Sequence, residues 1–132
     1  MIGKRQRLEI RHGLPWVEVG FRDAHGSICK EWLILDTGSS HTILSVELAK
    51  ALGLRRARRL DDATFDGTKR TERAYPAHLP ALVFCGREIE NYTVYCAAFE
   101  EKLHVPGLLG FDFFDETDFF MSRKRMSVHL SW

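Results

Sequence analysis

Residues 33–45 read Leu-Ile-Leu-Asp-Thr-Gly-Ser-Ser-His-Thr-Ile-Leu-Ser, and no other stretch restricts the chain as much. An apolar run leads straight into Asp36, Thr37 and Gly38, then into polar residues and a second apolar pair. The apolar flanks read as strands, which puts Asp-Thr-Gly at a tight turn between them. Gly38 lets the backbone approach a ligand closely, because no Cβ stands in the way. A carboxylate at the tip of an apolar strand must find partners or stay protonated. That cost marks Asp36 as a candidate site residue.

The bulk composition narrows the class. At 132 residues the chain is one domain, long enough for a real core. A hydrophobic fraction of 45% beside a charged fraction of 28% is that of a soluble globular protein. With a net charge of +1, no global field draws the chain to nucleic acid or to a membrane surface. No apolar run approaches the roughly 18 residues of a membrane span, and the basic N-terminus lacks the apolar core of a secretion signal. Cys29, Cys85 and Cys96 are odd in number and widely spaced. They read as small buried hydrophobes in a reducing, cytoplasmic compartment rather than as a disulfide framework. A longer, membrane-anchored parent stays open.

A second element accompanies the first. Residues 105–114 read Val-Pro-Gly-Leu-Leu-Gly-Phe-Asp-Phe-Phe. Asp36-Thr37-Gly38-Ser39 followed by Thr42-Ile43-Leu44-Ser45, and then Leu108-Leu109-Gly110, occur in the order and at about the separation found in aspartic proteases. The chain resembles their single-domain, retropepsin-like branch, in its cellular and bacterial form, from roughly Trp16 to Leu130. The resemblance implies a mostly β fold: a single-domain acid-protease barrel over residues 1–132 with a flap hairpin and two short helices.

The residues read in the same direction. Strands are expected over 7–12, 16–22 and 27–35, the second from its alternation of Val17, Val19 and Phe21 with Trp16, Glu18 and Gly20. Residues 1–14 form an N-terminal extension or strand. Ser45 reads as an N-cap, and Leu44, Leu48 and Leu52 with Gly53 as stop describe a short core-packing helix. The basic run 55–59 lacks interleaved aromatics and reads as a solvated edge or dimer rim, not a nucleic-acid patch. Asp66-Gly67 is a hairpin signal within residues 60–75, the slot of the family's flap. Pro76 and Pro80 bracket a connection. Residues 81–84 and 89–96 form a hairpin, Asp112 caps a short helix, and 119–121 and 126–130 close the sheet.

Two-lobed aspartic proteases carry two such loops, whereas one is found here, so the resemblance implies a homodimer in which each subunit supplies Asp36. Two facing carboxylates share a proton, one activating water and the other donating to the peptide carbonyl. Polypeptide is the implied substrate, and neither cofactor nor metal is called for: the six histidines show no ligand spacing. Thr37 would support the loops across the dimer axis. Gly38 would present its carbonyl to substrate, with Ser40, Leu109 and the flap residues Phe65, Asp66, Gly67 and Thr68 also in contact. Ser39 would hydrogen-bond the ionised carboxylate and favour an acidic optimum. Ser40 and Phe111 stand where viral enzymes carry an acid and an arginine, so that pair is replaced together. His41 reads either as a loop residue facing solvent or as a pH sensor. A catalytically inactive dimerisation or peptide-binding module is the rival reading, and proteolysis limited to self-processing is compatible with the same residues.

Overall fold

The computed structural model describes residues 2–58, 60–63, 73–99 and 104–132. Its strands are β1 Gly3–Arg11, β2 Leu14–Arg22, β3 Ile28–Asp36, β4 Ile43–Ser45, β5 Arg55–Arg56, β6 Tyr75–Phe84, β7 Arg87–Ala97, β8 Gly107–Gly110, β9 Asp118–Ser122 and β10 Ser127–Ser131. One helix, α1 Val46–Ala51, and a 3-10 turn over Phe111–Phe114 complete the described elements. The sheet runs β5-β6-β7-β4-β8-β3-β2-β1-β10-β9, and β6 also pairs with β2. That extra pairing closes β6-β7-β4-β8-β3-β2 into a barrel, leaving β1, β10 and β9 as a flange on one side.

Alternation along the strands explains the barrel. Val17, Val19 and Phe21 of β2 and Leu33 of β3 point inward and are completely buried. Their cross-strand partners share the face, as Val17 does with Leu33. The interior continues through Leu79, Leu82 and Phe84 of β6 and Leu109 of β8, and Phe84 packs edge-on against Phe113 and Phe114. Cys85 and Cys96 are buried free thiols, with Cys96 pushed up to about 11 by burial; Cys29 is half-buried. Ser45 caps α1 by accepting the Leu48 amide at 3.0 Å, and Gly53 adopts a left-handed φ of +68° just beyond Leu52. Among the described residues no helix is long and apolar enough to cross a membrane.

Residues 1–14, expected as an extension or a strand, are strand over Gly3–Arg11: β1 pairs with β10 through Gly3–Arg7 and with β2 through Leu8–Arg11, joining flange to barrel. Two expectations change. Pro76 and Pro80 lie inside β6, where Pro76 is opposite Tyr95 and the ladder skips the Pro80 position, as a residue without an N–H requires. Of the two short helices, the second is the 3-10 turn, capped by no side chain. Asp112 sits inside its first turn and is engaged elsewhere. Residues 60–75, the expected flap, fall largely outside the described residues, which include the antiparallel bridge Ala63↔Ala74 with reciprocal bonds of 2.8 and 2.7 Å.

The central strand β8 is squeezed between β3 and β4, parallel to one and antiparallel to the other. Its first residue has no room for a side chain: a Cβ on Gly107 would meet the Ile43 carbonyl oxygen at 2.5 Å. Gly107→Ala is therefore expected to destabilise the fold by about 3 kcal/mol or more in urea unfolding, since backbone and not a flexible side chain would have to yield.

Candidate active site

Asp36 is the last residue of β3 and shares the parity of Ile34 and Trp32, opposite to the buried Leu33 and Leu35. The same alternation that fills the barrel therefore turns this carboxylate out of it. Asp36 is half-buried, and its Oδ1 accepts the Gly38 amide at 3.1 Å. A Cβ on Gly38 would stand only 3.3 Å from that oxygen, so the absence of a side chain keeps the carboxylate reachable. The Ser39 amide donates to the Asp36 carbonyl at 3.1 Å and closes the turn.

Strand β8 supports the loop from beside it. Leu35 pairs with Leu109 and Asp36 with Gly110. Gly110 lies directly on the backbone of His41 and Thr42, where a Cβ would overlap the His41 carbonyl. Three bonds fix that approach. The Phe111 amide donates to the Ser39 carbonyl at 2.7 Å, the Gly110 amide donates to Thr42 Oγ1 at 3.1 Å, and Thr42 Oγ1 donates to Asp112 Oδ1 at 2.9 Å. Thr42 is fully buried, so its hydroxyl serves as a two-way connector inside the protein. Tyr92 lies beside Asp112; burial, and then that carboxylate, push its phenol far above its usual range.

On the face that carries Asp36, Trp16, Ile34 and Leu108 form a row across three strands, paired Trp16↔Ile34 and Ile34↔Leu108. They line a largely apolar cavity of about 470 Å³ with Leu14, Val105 and Phe99 among the described residues. Arg11 stands at its rim, its guanidinium 5.2 Å from the Trp16 ring and 4.9 Å from that of Trp32, held by Glu9 at 2.8 Å. Ile34 precedes Asp36 by one strand period, so the cavity wall lies on the face of β3 that carries the carboxylate.

Thr37, Gly38 and Ser40 are exposed on the loop, Ser39 is half-buried, and Phe65, Asp66, Gly67 and Thr68 lie outside the described residues. Two expected contacts are corrected. Leu109 is completely buried because it pairs with Leu35 on the core side, and Leu108, of opposite parity, lines the cavity in its place. The Ser39 hydroxyl donates to the His41 carbonyl at 2.8 Å, not to Asp36, whose inner oxygen is already taken by the Gly38 amide. With its hydroxyl on the His41 carbonyl, Ser39 gives no support to an acidic optimum. Ser40 and Phe111 are both exposed, and Phe111 keeps 62% of its surface. The His41 ring is exposed with its centre 4.9 Å from that of Tyr95. Thr42, Asp112 and the Trp16–Ile34–Leu108 row were missed from the sequence. The row was detectable by counting back two residues from Asp36, whereas the Thr42–Asp112 bond spans a separation of 70 and left no local signal.

Thr42→Val keeps the shape but leaves the Gly110 amide and the Asp112 carboxylate without their partner. It is expected to cost about 1–3 kcal/mol in urea unfolding, with Thr42→Ser recovering most of that. Ser39→Ala is expected to lower stability by about 0.5–1.5 kcal/mol and to leave the acid side of any pH profile in place.

Comparison with known proteins agrees with this geometry. The family model described as "gag-polyprotein putative aspartyl protease" matches residues 32–116. A search of curated proteins finds no match. Among solved structures, a retropepsin-like aspartic protease from Rickettsia conorii superposes with a TM-score of 0.65 at 20% identity, covering 98% of this chain and 91% of that one. The retroviral protease-like domain of Ddi1 from Leishmania major superposes with a TM-score of 0.51 at 11% identity, covering 90% and 94%. At these identities the structures speak for the fold alone; the family model, which takes in the Asp36 loop, Gly110 and most of the barrel, places the chain in the gag-polyprotein aspartyl protease family, with a retropepsin-like fold.

Proposed function

We propose that the chain is an aspartic endopeptidase, active as a homodimer in which each subunit contributes Asp36. The observation that carries this reading is the aspartate itself. It is turned away from the core onto the cavity face, oriented by the Gly38 amide, and present in a single Asp-Thr-Gly loop per chain. One carboxylate held this way is half of an acid–base pair. Two of them across a two-fold share one proton, so that one takes a proton from water while the other donates to the scissile carbonyl. The pair titrates as a unit.

The surrounding residues suit that chemistry. Thr37 is exposed and makes no side-chain hydrogen bond within the described residues, which leaves its hydroxyl for the opposing loop. Gly38 presents its carbonyl to an extended polypeptide, with Ser40 beside it. The cavity of Trp16, Ile34, Val105 and Leu108 takes a large apolar side chain next to the cut. Phe65, Asp66, Gly67 and Thr68, outside the described residues, keep the flap role that the resemblance implies, covering substrate and lending backbone hydrogen bonds. The free thiols suit a reducing, cytoplasmic setting.

The test is cleavage of a denatured protein between about pH 4 and 6, where a shared proton is available, with Asp36→Asn as control. The wild type is expected to cleave and to sediment as a dimer. The variant is expected to keep the dimer and lose about 100- to 10,000-fold in rate. Equal cleavage by both proteins would remove the enzyme reading and leave the binding module.

A further inference from the structure

The face of β3 that carries Asp36 does not stop at the barrel. By register it passes from Ile34 to Trp16 of β2 and on to Glu9 of β1. Along β1 the positions Arg5, Arg7, Glu9 and Arg11 share it, because Leu8 and Ile10 turn into the core. From Arg5 it reaches His129 of β10, whose Nε2 lies 3.3 Å from where a Cβ on Gly3 would stand. The apolar row on the Asp36 face thus runs into a row of guanidinium groups. Arg11 lies against the Trp16 and Trp32 rings, and Glu9 is shared between it at 2.8 Å and Arg7 at 3.3 Å.

One carboxylate between two guanidiniums leaves positive charge in excess, and the neighbours add to it. Arg5 is exposed, as are Arg123, Lys124 and Arg125 of the turn between β9 and β10, and among the described residues none of these forms an ion pair. That turn adjoins Arg7, since Arg7 pairs with Ser127 and the Leu8 amide donates to the Met126 carbonyl at 3.0 Å. Arg7 keeps 74% of its side-chain surface, and an ion pair so exposed is weak, so its guanidinium stays available to another carboxylate. The net charge of +1 for the whole chain hides this local concentration.

We propose that this row is a docking track for an acidic stretch of the polypeptide whose apolar residue fills the cavity of Trp16, Ile34 and Leu108. The inference rests on the endopeptidase reading above and names its substrate class: an apolar residue at the cut with several Asp or Glu residues to one side. Arg5 and Arg11 are about 20 Å apart along the strand, the reach of roughly six extended residues. Alternate side chains of an extended peptide lie on one side, as do Arg5 and Arg7, so carboxylates two positions apart meet successive guanidiniums. The planar fork of arginine suits that pairing. Charge complementarity of this kind speeds encounter and selects among partners. A nucleic acid fits the face less well: Phe120 of β9, with 64% of its surface open, is its one largely exposed ring among the described residues, where a base-stacking surface uses several.

The experiment measures peptide binding to the full chain carrying Asp36→Asn, by fluorescence anisotropy at low and high salt, with circular dichroism to verify folding. Two peptides share a central pair of leucines; one carries Glu at the flanking positions and the other carries Gln there. The Glu peptide is expected to bind about tenfold more tightly or better at low salt, with a smaller gap at high salt. Adding Arg5→Gln and Arg7→Gln is expected to bring the two affinities within about twofold of each other. Equal affinities at the outset, or a preference that survives the loss of Arg5 and Arg7, would overturn the acidic track and leave the Asp36 reading to stand on cleavage of the Gln peptide by the unaltered chain. A single-stranded oligonucleotide of equal charge that binds more tightly than the Glu peptide, and loses that advantage with the same two substitutions, overturns the track in favour of nucleic acid. An unaltered chain that cleaves neither peptide, while the Asp36→Asn protein prefers the Glu peptide, overturns the endopeptidase reading and keeps the track as that of a binding module.

Discussion

The close approach of Gly110 to the backbone of His41 and Thr42 is the contact from which the rest of the site follows. It holds because position 110 carries no side chain and because a buried hydroxyl, that of Thr42, receives the Gly110 amide and donates to Asp112. Polar groups buried this way gain little over water but cost much when one partner is removed. The contact is thus enforced mainly by the penalty for breaking it. Beside it Asp36 is fixed in the sheet by its pairing with Gly110, so the carboxylate sits on a rigid strand end and not on a free loop.

Around that contact, one alternation separates stability from chemistry. Leu33, Leu35 and Leu109 share the inward parity and fill the barrel; Trp16, Ile34, Leu108 and Asp36 share the outward parity and form the cavity wall and the acid. A register slip of one residue would exchange the two sets and bury the carboxylate in hydrocarbon. Core and site therefore protect each other: the register that satisfies the leucines is the one that presents the aspartate.

A chain with one Asp-Thr-Gly loop supplies one carboxylate, and the endopeptidase we propose takes its second from a symmetry mate. β1 ties the flange to the barrel through two ladders, one with β10 and one with β2.

The sequence by itself determined the local features: the strands of period two, the Ser45 cap and Gly53 stop of α1, and the solitary Asp-Thr-Gly. These are local, because alternation, capping and turn chemistry act within a few residues. It misplaced Pro76 and Pro80 because proline signals a break unless a ladder happens to tolerate a missing donor. Leu109 and Ser39 were misassigned because what a side chain faces depends on which strand or carbonyl lies next to it. The Asp36↔Gly110 pairing, the Thr42 connector and the open edge of β9 were decided only by the tertiary structure. Each joins or separates residues tens of positions apart, and no local preference records which distant partner completes a hydrogen bond or leaves a strand uncovered.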